Sequence, residues 1–485
     1  MFHARCPGPA ARAATWPLGS SWSTAARTLW STVWKHPSAS DAGLCRRGFL
    51  KTGAAFAALV GLGGCSVASA SASAGRYGPL RRDPAGIVDL PAGFRYSVLN
   101  RLGDRMDDGE PTPPHLDGMA AFAGAGETIV LIRNHELEPW IFDSGVSAPT
   151  ARRYDRGARS YVRGGTTTLL VSRELTLVRC FPSLAGTVMN CAGGPTPWGS
   201  WISCEETLET PETDHRLQRR HGYCFEVPAS ATGLVAPVPL TAMGRFRHEA
   251  IAVDPKTGVV FETEDEPDGC LYRFLPHRAG TLAAGGELQA LRLLDFPRGV
   301  ALTTQVLGTR PHDVDWVTVD NADPGAREIS VRVQAVERGA TILSRGEGIW
   351  WSAPEQAAYI ATTTGGSAGT GQILRFAPRE GRRGGGTLRI VVESTGRSRG
   401  DGFAWPDNIS VTPWGDLIVC QDRRGQAYLW TVRGDGEVAP IARNVLNRTE
   451  FAGACFSPDG RALFVNIFGT EWQAGLTLAI TGPWR

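Results

Sequence analysis

The sequence predicts an all-β chain, and three observations carry the prediction. The 485 residues include 59 glycines and 32 prolines, and runs at helical spacing are scarce beyond the first hundred positions. Short Val/Ile/Leu/Trp stretches are instead bounded by clusters of Asp, Pro and Gly, the punctuation of strands and tight turns. One unit also recurs: a polar residue beside a small one, an apolar strand, a turn, a second apolar strand, and a polar residue again. It reads DGMAAFAGAGETIVLIRNHE (117–136), NCAGGPTPWGSWISCEE (190–206), HEAIAVDPKTGVVFETEDE (248–266), EGIWWSAPEQAAYIATTT (347–364), PDNISVTPWGDLIVCQD (406–422) and GACFSPDGRALFVNI (453–467). Six such hairpins at irregular spacing predict a six-bladed β-propeller with irregular insertions.

Each element follows from its residues. DPKTG, TPWGD and SPDG are the Asp/Pro/Gly combinations that close short hairpins. In a hairpin the start of the first strand and the end of the second share one end, so the flanks of all six repeats meet on one face of the disc. The residues expected there are Asp117, Asn134, His135, Glu136, Cys191, Glu205, Glu206, His248, Glu249, Glu264, Asp265, Glu347, Asp407, Asn408, Asp422 and Asn466. So many carboxylates at one rim repel one another unless cations neutralise them. Carboxylate and amide oxygens suit Ca²⁺, and a thiolate among them suits a transition metal such as iron.

The first 75 residues differ in kind. CRRGFLKTGAAFAALVGLGGC (45–65) joins Arg46 and Arg47 to an apolar run too short to span a bilayer. It is similar to a twin-arginine export signal, so the expected location is periplasmic or extracellular, with the twin-arginine machinery as a partner. LGGC ending at Cys65 fits a lipoprotein box, which would anchor the chain to the membrane, and ASASASAG (68–75) fits ordinary cleavage, the preferred reading. The first 44 residues are long for such a leader and read as an over-extended start. The domain expectation is thus a leader over 1–75 and a single propeller over 76–485. Cys180, Cys191, Cys204, Cys224, Cys270, Cys420 and Cys455 then remain, an odd number, so at least one thiol lacks a partner within the chain. Cys191, in its glycine-rich turn, is the candidate metal thiolate. A formal net charge of +2 and no basic run in the body exclude a nucleic-acid binder.

GTVMNCAGGPTPWGSWISCEE, RHEAIAVDPKTGVVF, SRGEGIWW, TTTGGSAGTGQILRF, WPDNISVTPWGDLIVCQD and EFAGACFSPDGRALFVNI with its terminal ITGPW together resemble the PhoX-type alkaline phosphatases, from about Leu90 to the C-terminus. The resemblance implies an exported phosphate monoesterase whose propeller centre holds an iron pair and calcium ions. It places Cys191 as the bridge between the irons and Glu206 as an iron ligand, with Glu205 beside it. Glu249 and Glu347 would bind iron or calcium, and Asp407, Asn408 and Glu136 calcium. Arg345 would hold the substrate phosphate through paired hydrogen bonds. Clustered cations suit a phosphate monoester dianion, because they neutralise its charge and polarise its P–O bonds.

Residues from about 278 to 340 match weakly and read as an insertion over the pocket. Two rivals remain open at this point: a calcium-dependent lactonase or phosphotriesterase-like propeller, and a non-catalytic calcium-braced binding propeller. Cys191 discriminates, because a purely calcium site has little use for a soft thiolate. A monomer is expected. His115, His215, His221, His277 and His312 show no ligand spacing and are read as surface or loop residues. The glycine-rich 362–372 stretch lacks the lysine of a nucleotide loop and is read as a connecting turn.

Overall fold

Twelve strands in six hairpins organise the computed structural model, which describes residues 75–484 apart from 140–144, 159–161, 304, 306, 395–401 and 424. The hairpins are β1 (Leu116–Ala123) with β2 (Ile129–His135), β3 (Asn190–Pro195) with β4 (Ser200–Glu205), and β5 (His248–Val253) with β6 (Val260–Glu264). They continue as β7 (Gly346–Ser352) with β8 (Ala357–Thr362), β9 (Pro406–Val411) with β10 (Leu417–Gln421), and β11 (Phe451–Phe456) with β12 (Ala462–Ile467). Each is the strand pair of one sequence repeat. The turns are those the sequence specifies: Asp254 accepts from the Lys256 amide and the Thr257 hydroxyl, and Gly258, Gly415 and Gly460 supply positive φ.

The first strands of the hairpins pack side by side in a closed cycle, β1 on β3, β3 on β5, β5 on β7, β7 on β9, β9 on β11 and β11 on β1. Further antiparallel strands continue each sheet outward, so the arrangement is all-β and propeller-like. The six hairpins do not make six separate sheets. The sheets of β5 and β7 merge into one of nine strands, because Gly286–Leu293 pairs with His312–Thr318, which pairs in turn with Gly386–Glu393. Part of the expected insertion is therefore scaffold. The remainder includes helix α1 (Val331–Glu337), the one α-helix among the described residues, capped by the Ser330 hydroxyl. No helix among the described residues is long and apolar enough to cross a membrane. The leader, with Arg46, Arg47 and Cys65, lies outside the described residues.

Strands in this arrangement are covered on both faces, which is why β2, β5, β6, β8 and β12 are buried along their whole length and read as nearly continuous apolar runs. Where first strands meet near the axis their backbones nearly touch. A Cβ on Gly348 would stand 2.6 Å from the Ile409 amide nitrogen, and one on Gly118 would stand 2.5 Å from the Ala192 Cα. Gly348→Ala is expected to destabilise the fold by about 1–3 kcal/mol through overpacking against backbone that cannot yield. The check is the thermal unfolding midpoint, with Gly233→Ala, where nothing lies within 4 Å, as the neutral control. Equal midpoints for the two variants would refute the close approach.

Every first strand carries the same irregularity. Pairing jumps from Leu116 opposite His135 to Met119 opposite Arg133, and equivalent jumps separate Asn190 from Gly193, His248 from Ile251, Gly346 from Ile349, Pro406 from Ile409 and Ala452 from Cys455. Three residues on one strand thus face two on the other, a β-bulge that re-aims the skipped side chains. The skipped pairs are Asp117-Gly118, Cys191-Ala192, Glu249-Ala250, Glu347-Gly348, Asp407-Asn408 and Gly453-Ala454. A potential ligand is followed by a small residue in four of them; Asn408 breaks the second part of the rule and Gly453 the first.

Candidate metal centre

The bulges bring the donors together. Cys191, Glu206 and Glu249 each offer a ligand atom within 4.8 Å of the others, and Glu249, Glu347 and Asp407 do the same, so Glu249 is shared by two adjoining groups. Two positions of the hairpin supply this set. The bulge gives Asp117, Cys191, Glu249, Glu347 and Asp407, and the residue just past the second strand gives Glu136, Glu206, Asp265, Thr363 and Asp422.

The electrostatics are those of an acid cluster that needs counter-ions. Burial pushes the carboxyls of Glu249 and Glu347 well above the carboxylate range, and the charges of Asp407 and Asp265 push further. Glu136 is raised to about 8 by burial and then by Glu138 and Asp407. Asp407 is raised to about 7 by burial and then by Asp422, against the pull of Arg345. The Cys191 thiol is raised by burial and then by Glu249 and Glu206. A bound multivalent cation reverses each of these penalties.

Arginine is the counter-charge the chain itself supplies. Arg345 Nε and Nη2 lie 2.7 and 3.0 Å from the two carboxylate oxygens of Asp265, and Nη2 lies 2.8 Å from Glu347 Oε1. Ser344 and Arg345 adopt left-handed backbone, φ 71° and 56°, an unfavourable state for side-chain-bearing residues that persists where the surroundings impose it. Arg247 stands two residues before Glu249 as Arg345 stands two before Glu347, and it reaches Glu266 at 3.2 Å and Glu206 at 3.9 Å.

Most of the expected ligands meet here, with exceptions. Glu205 does not: as the last paired residue of β4 it turns away from Glu206. Its oxygens take the His221 Nδ1 at 2.6 Å and the amides of Val188, Gly222 and Tyr223. His221 is not a surface residue, being fully buried between Glu205 and Asp155. Burial alone would lower its pKa, but the two carboxylates hold it up to about 9. His312 is likewise buried, against Asp295 and the Leu307 carbonyl. Asn408 braces Asp407: its Nδ2 donates to Asp407 Oδ1 and its Oδ1 accepts from the Gly453 amide. Asn134, His135, Glu264 and Asn466 make internal hydrogen bonds and do not join the donor set. All seven cysteines of the described residues are buried and without a disulfide.

Glu450 is the residue sequence reasoning missed. Burial raises its carboxyl, followed by the charges of Asp407, Asp422 and Glu136, so it faces the same cluster. The sixth hairpin has Gly453 in the bulge position, where a Cβ would meet the Asp117 carbonyl at 2.5 Å, and the acid comes from just upstream. The signal available was an empty ligand position with a glutamate three residues before it.

A pH dependence follows, with its sign. Without metal, Glu136 and Asp407 hold protons more tightly in the folded chain than in the unfolded one, so their contribution is fully present below about pH 4 and is lost as pH rises through about 7 to 8. Chelator-stripped protein is expected to lose thermal stability across that interval, and added divalent cation to restore more at the alkaline end. A midpoint for stripped protein that stays flat or rises there would contradict the cluster.

A propeller-like scaffold with a central rim of carboxylates, one thiol and arginines is suited to multivalent cations and an anionic ligand. The family profile described as alkaline phosphatase PhoX matches residues 75–181 and 176–470. The chain belongs to that family and is a phosphoric monoester hydrolase. Among solved structures, PhoX from Pseudomonas fluorescens in complex with vanadate, a transition state analogue, superposes with a TM-score of 0.62 at 18% identity, over 82% of this chain and 96% of that one. A gluconolactonase from Xanthomonas campestris follows at 14% identity and TM-score 0.37, over 84% and 98% of the two chains, and a luciferin-regenerating enzyme at 9% and 0.42, over 81% and 96%. The last two likenesses are too loose to bear on the argument. Among curated protein sequences none matches.

Proposed function

We propose that this chain is an exported alkaline phosphatase whose rim holds iron and calcium on a six-bladed propeller. The observation that carries the metal assignment is Cys191 beside Glu206 and Glu249, because a soft thiolate with two carboxylates favours a transition metal while the all-oxygen group of Glu249, Glu347 and Asp407 favours calcium. The six first strands in a closed cycle support the blade count, with two blades sharing one sheet through the strand His312–Thr318.

Cys191, Glu206 and Glu249 would hold iron, and Glu249, Glu347 and Asp407, with Glu136 and Asp117 close by, would hold calcium. Bound there, such ions neutralise the phosphate dianion and activate a nucleophile at neutral to alkaline pH. The chain's own contribution is orientation. Asp265 holds the Arg345 guanidinium in a two-point grip that leaves further N–H donors for substrate oxygens. Asn408 fixes the Asp407 carboxylate through one oxygen, and the left-handed backbone at Ser344 and Arg345 sets the arginine at the rim.

The test is metal content together with hydrolysis of a generic phosphate monoester, a lactone and a phosphotriester by the same preparation. Iron with calcium and selective monoester hydrolysis at alkaline pH supports the reading. Calcium alone with lactone or triester hydrolysis would replace it. Export by the twin-arginine route rests on Arg46 and Arg47 ahead of the apolar run. Replacing both by lysine is expected to leave the protein in the cytoplasm, and unchanged export would exclude that route.

A further inference from the structure

A second donor cluster lies away from the rim. Cys224, His248 and Glu262 present ligand atoms within 4.8 Å of one another, all of them buried. Cys224 Sγ is 3.3 Å from His248 Nδ1, which is 3.4 Å from Glu262 Oε2. Cys204 Sγ stands 3.6 Å from Cys224 Sγ, directly across the pairing of β4 with the strand Cys224–Pro228. The four residues come from two different sheets, that of β4 and that of β5 and β6. None belongs to the donor set at the rim: His248 precedes Glu249 but turns to the opposite side of its strand.

Two features point to an ion. Glu262 is fully buried, and neither of its carboxylate oxygens has a hydrogen-bond partner among the described residues, a costly state for a polar group unless something else satisfies it. The His248 ring is also oriented as a ligand: Nε2 lies 3.0 Å from the Gly244 carbonyl, which can only accept, so the proton sits on Nε2 and the lone pair of Nδ1 faces Cys224 and Glu262. A carbonyl on the far nitrogen is the usual partner of a metal-bound histidine. The spacings fit as well. With Zn–S of about 2.3 Å and Zn–N and Zn–O of about 2.0–2.1 Å, a tetrahedron has edges of roughly 3.5 Å between sulfur and nitrogen and 3.3 Å between nitrogen and oxygen. The structure has 3.3 Å between Cys224 Sγ and His248 Nδ1 and 3.4 Å between His248 Nδ1 and Glu262 Oε2, whereas Cys204 neighbours Cys224 without joining the group.

We propose that Cys224, His248 and Glu262 form a buried structural site for a tetrahedral divalent ion of the zinc type, fastening the second hairpin's sheet to the third. The alternative use of the sulfurs is a cross-strand disulfide. That bond would leave Glu262 buried with its oxygens unsatisfied, whereas the ion gives every member of the cluster a partner. The proposal is independent of the phosphatase chemistry.

The test uses the full-length protein, purified under reducing conditions with zinc or cobalt supplied, in a Cys191→Ser background that removes the rim thiolate. Expected are one tightly held zinc per chain and, with Co²⁺, the thiolate charge-transfer and intense visible bands of a tetrahedral site. Cys224→Ser and the near-isosteric Glu262→Gln should each lower zinc retention at least tenfold. If the variants do not fold, the cobalt spectrum of the Cys191→Ser protein decides alone. Absence of zinc and of thiolate bands would overturn the proposal, and so would a Cys204–Cys224 disulfide in unreduced peptide maps or zinc content indifferent to these substitutions.

Discussion

Cys191→Ser is expected to remove most of the phosphatase activity and the transition metal with it, while leaving calcium in place. The thiol is buried at the rim, with Sγ 3.3 and 3.5 Å from the His248 and Glu249 carbonyls, and Glu206 and Glu249 complete its group. Serine is nearly isosteric but is a hard, weakly acidic donor, so the fold survives and the soft ligand is lost. Removing even an outer partner of a metal ligand costs about 10- to 100-fold, and loss of the ligand itself should exceed that. The measurement is kcat beside iron and calcium per chain. A serine variant that keeps both its iron and its rate would show that the thiol is an inert buried group.

Arg345→Ala is expected to lower kcat/KM for a phosphate monoester by about 10²- to 10³-fold, the usual effect of deleting a preorganised donor to developing charge, with metal content unchanged. Lysine should recover little of it, because a point charge cannot grip Asp265 with one edge of a planar group and keep the Nη1 donors for phosphate. Full activity in Arg345→Lys, or a loss in Arg345→Ala below about threefold, would reduce this arginine to a counter-ion for Asp265 and Glu347. Arg247, at the matching place before Glu249, is then the alternative phosphate contact to test.

The architecture was legible because each hairpin announces itself twice, by its turn residues and by the polar residues that flank it. The convergence of Cys191, Glu206, Glu249, Glu347, Asp407 and Glu136 at one rim was legible for the same reason. Glu205 was misplaced because neighbouring strand residues face opposite ways, so an adjacent pair of glutamates cannot both reach the rim. Its true partner, His221, is sixteen residues away in the sequence, and no local spacing joins them. Glu450 escaped because the sixth hairpin has Gly453 in the bulge position where the other five carry a potential ligand. The cluster of Cys224, His248 and Glu262 was hidden for a third reason: its members come from three strands, and only the closed packing of two sheets makes them neighbours.

The last two sheets are completed from the other end of the chain. Leu476–Thr481 pairs with Arg95–Arg101, and Val438–Asn444 pairs with Val88–Pro91. A ribosome that has reached Glu450 has therefore delivered every rim residue named above, yet the cycle of first strands still lacks β11. The strand Arg95–Arg101, made early, must wait for nearly four hundred further residues before its partner exists. Contacts of such long sequence separation make closure slow. A product that stops at Glu450 carries the rim residues but lacks the strands that close the cycle around them.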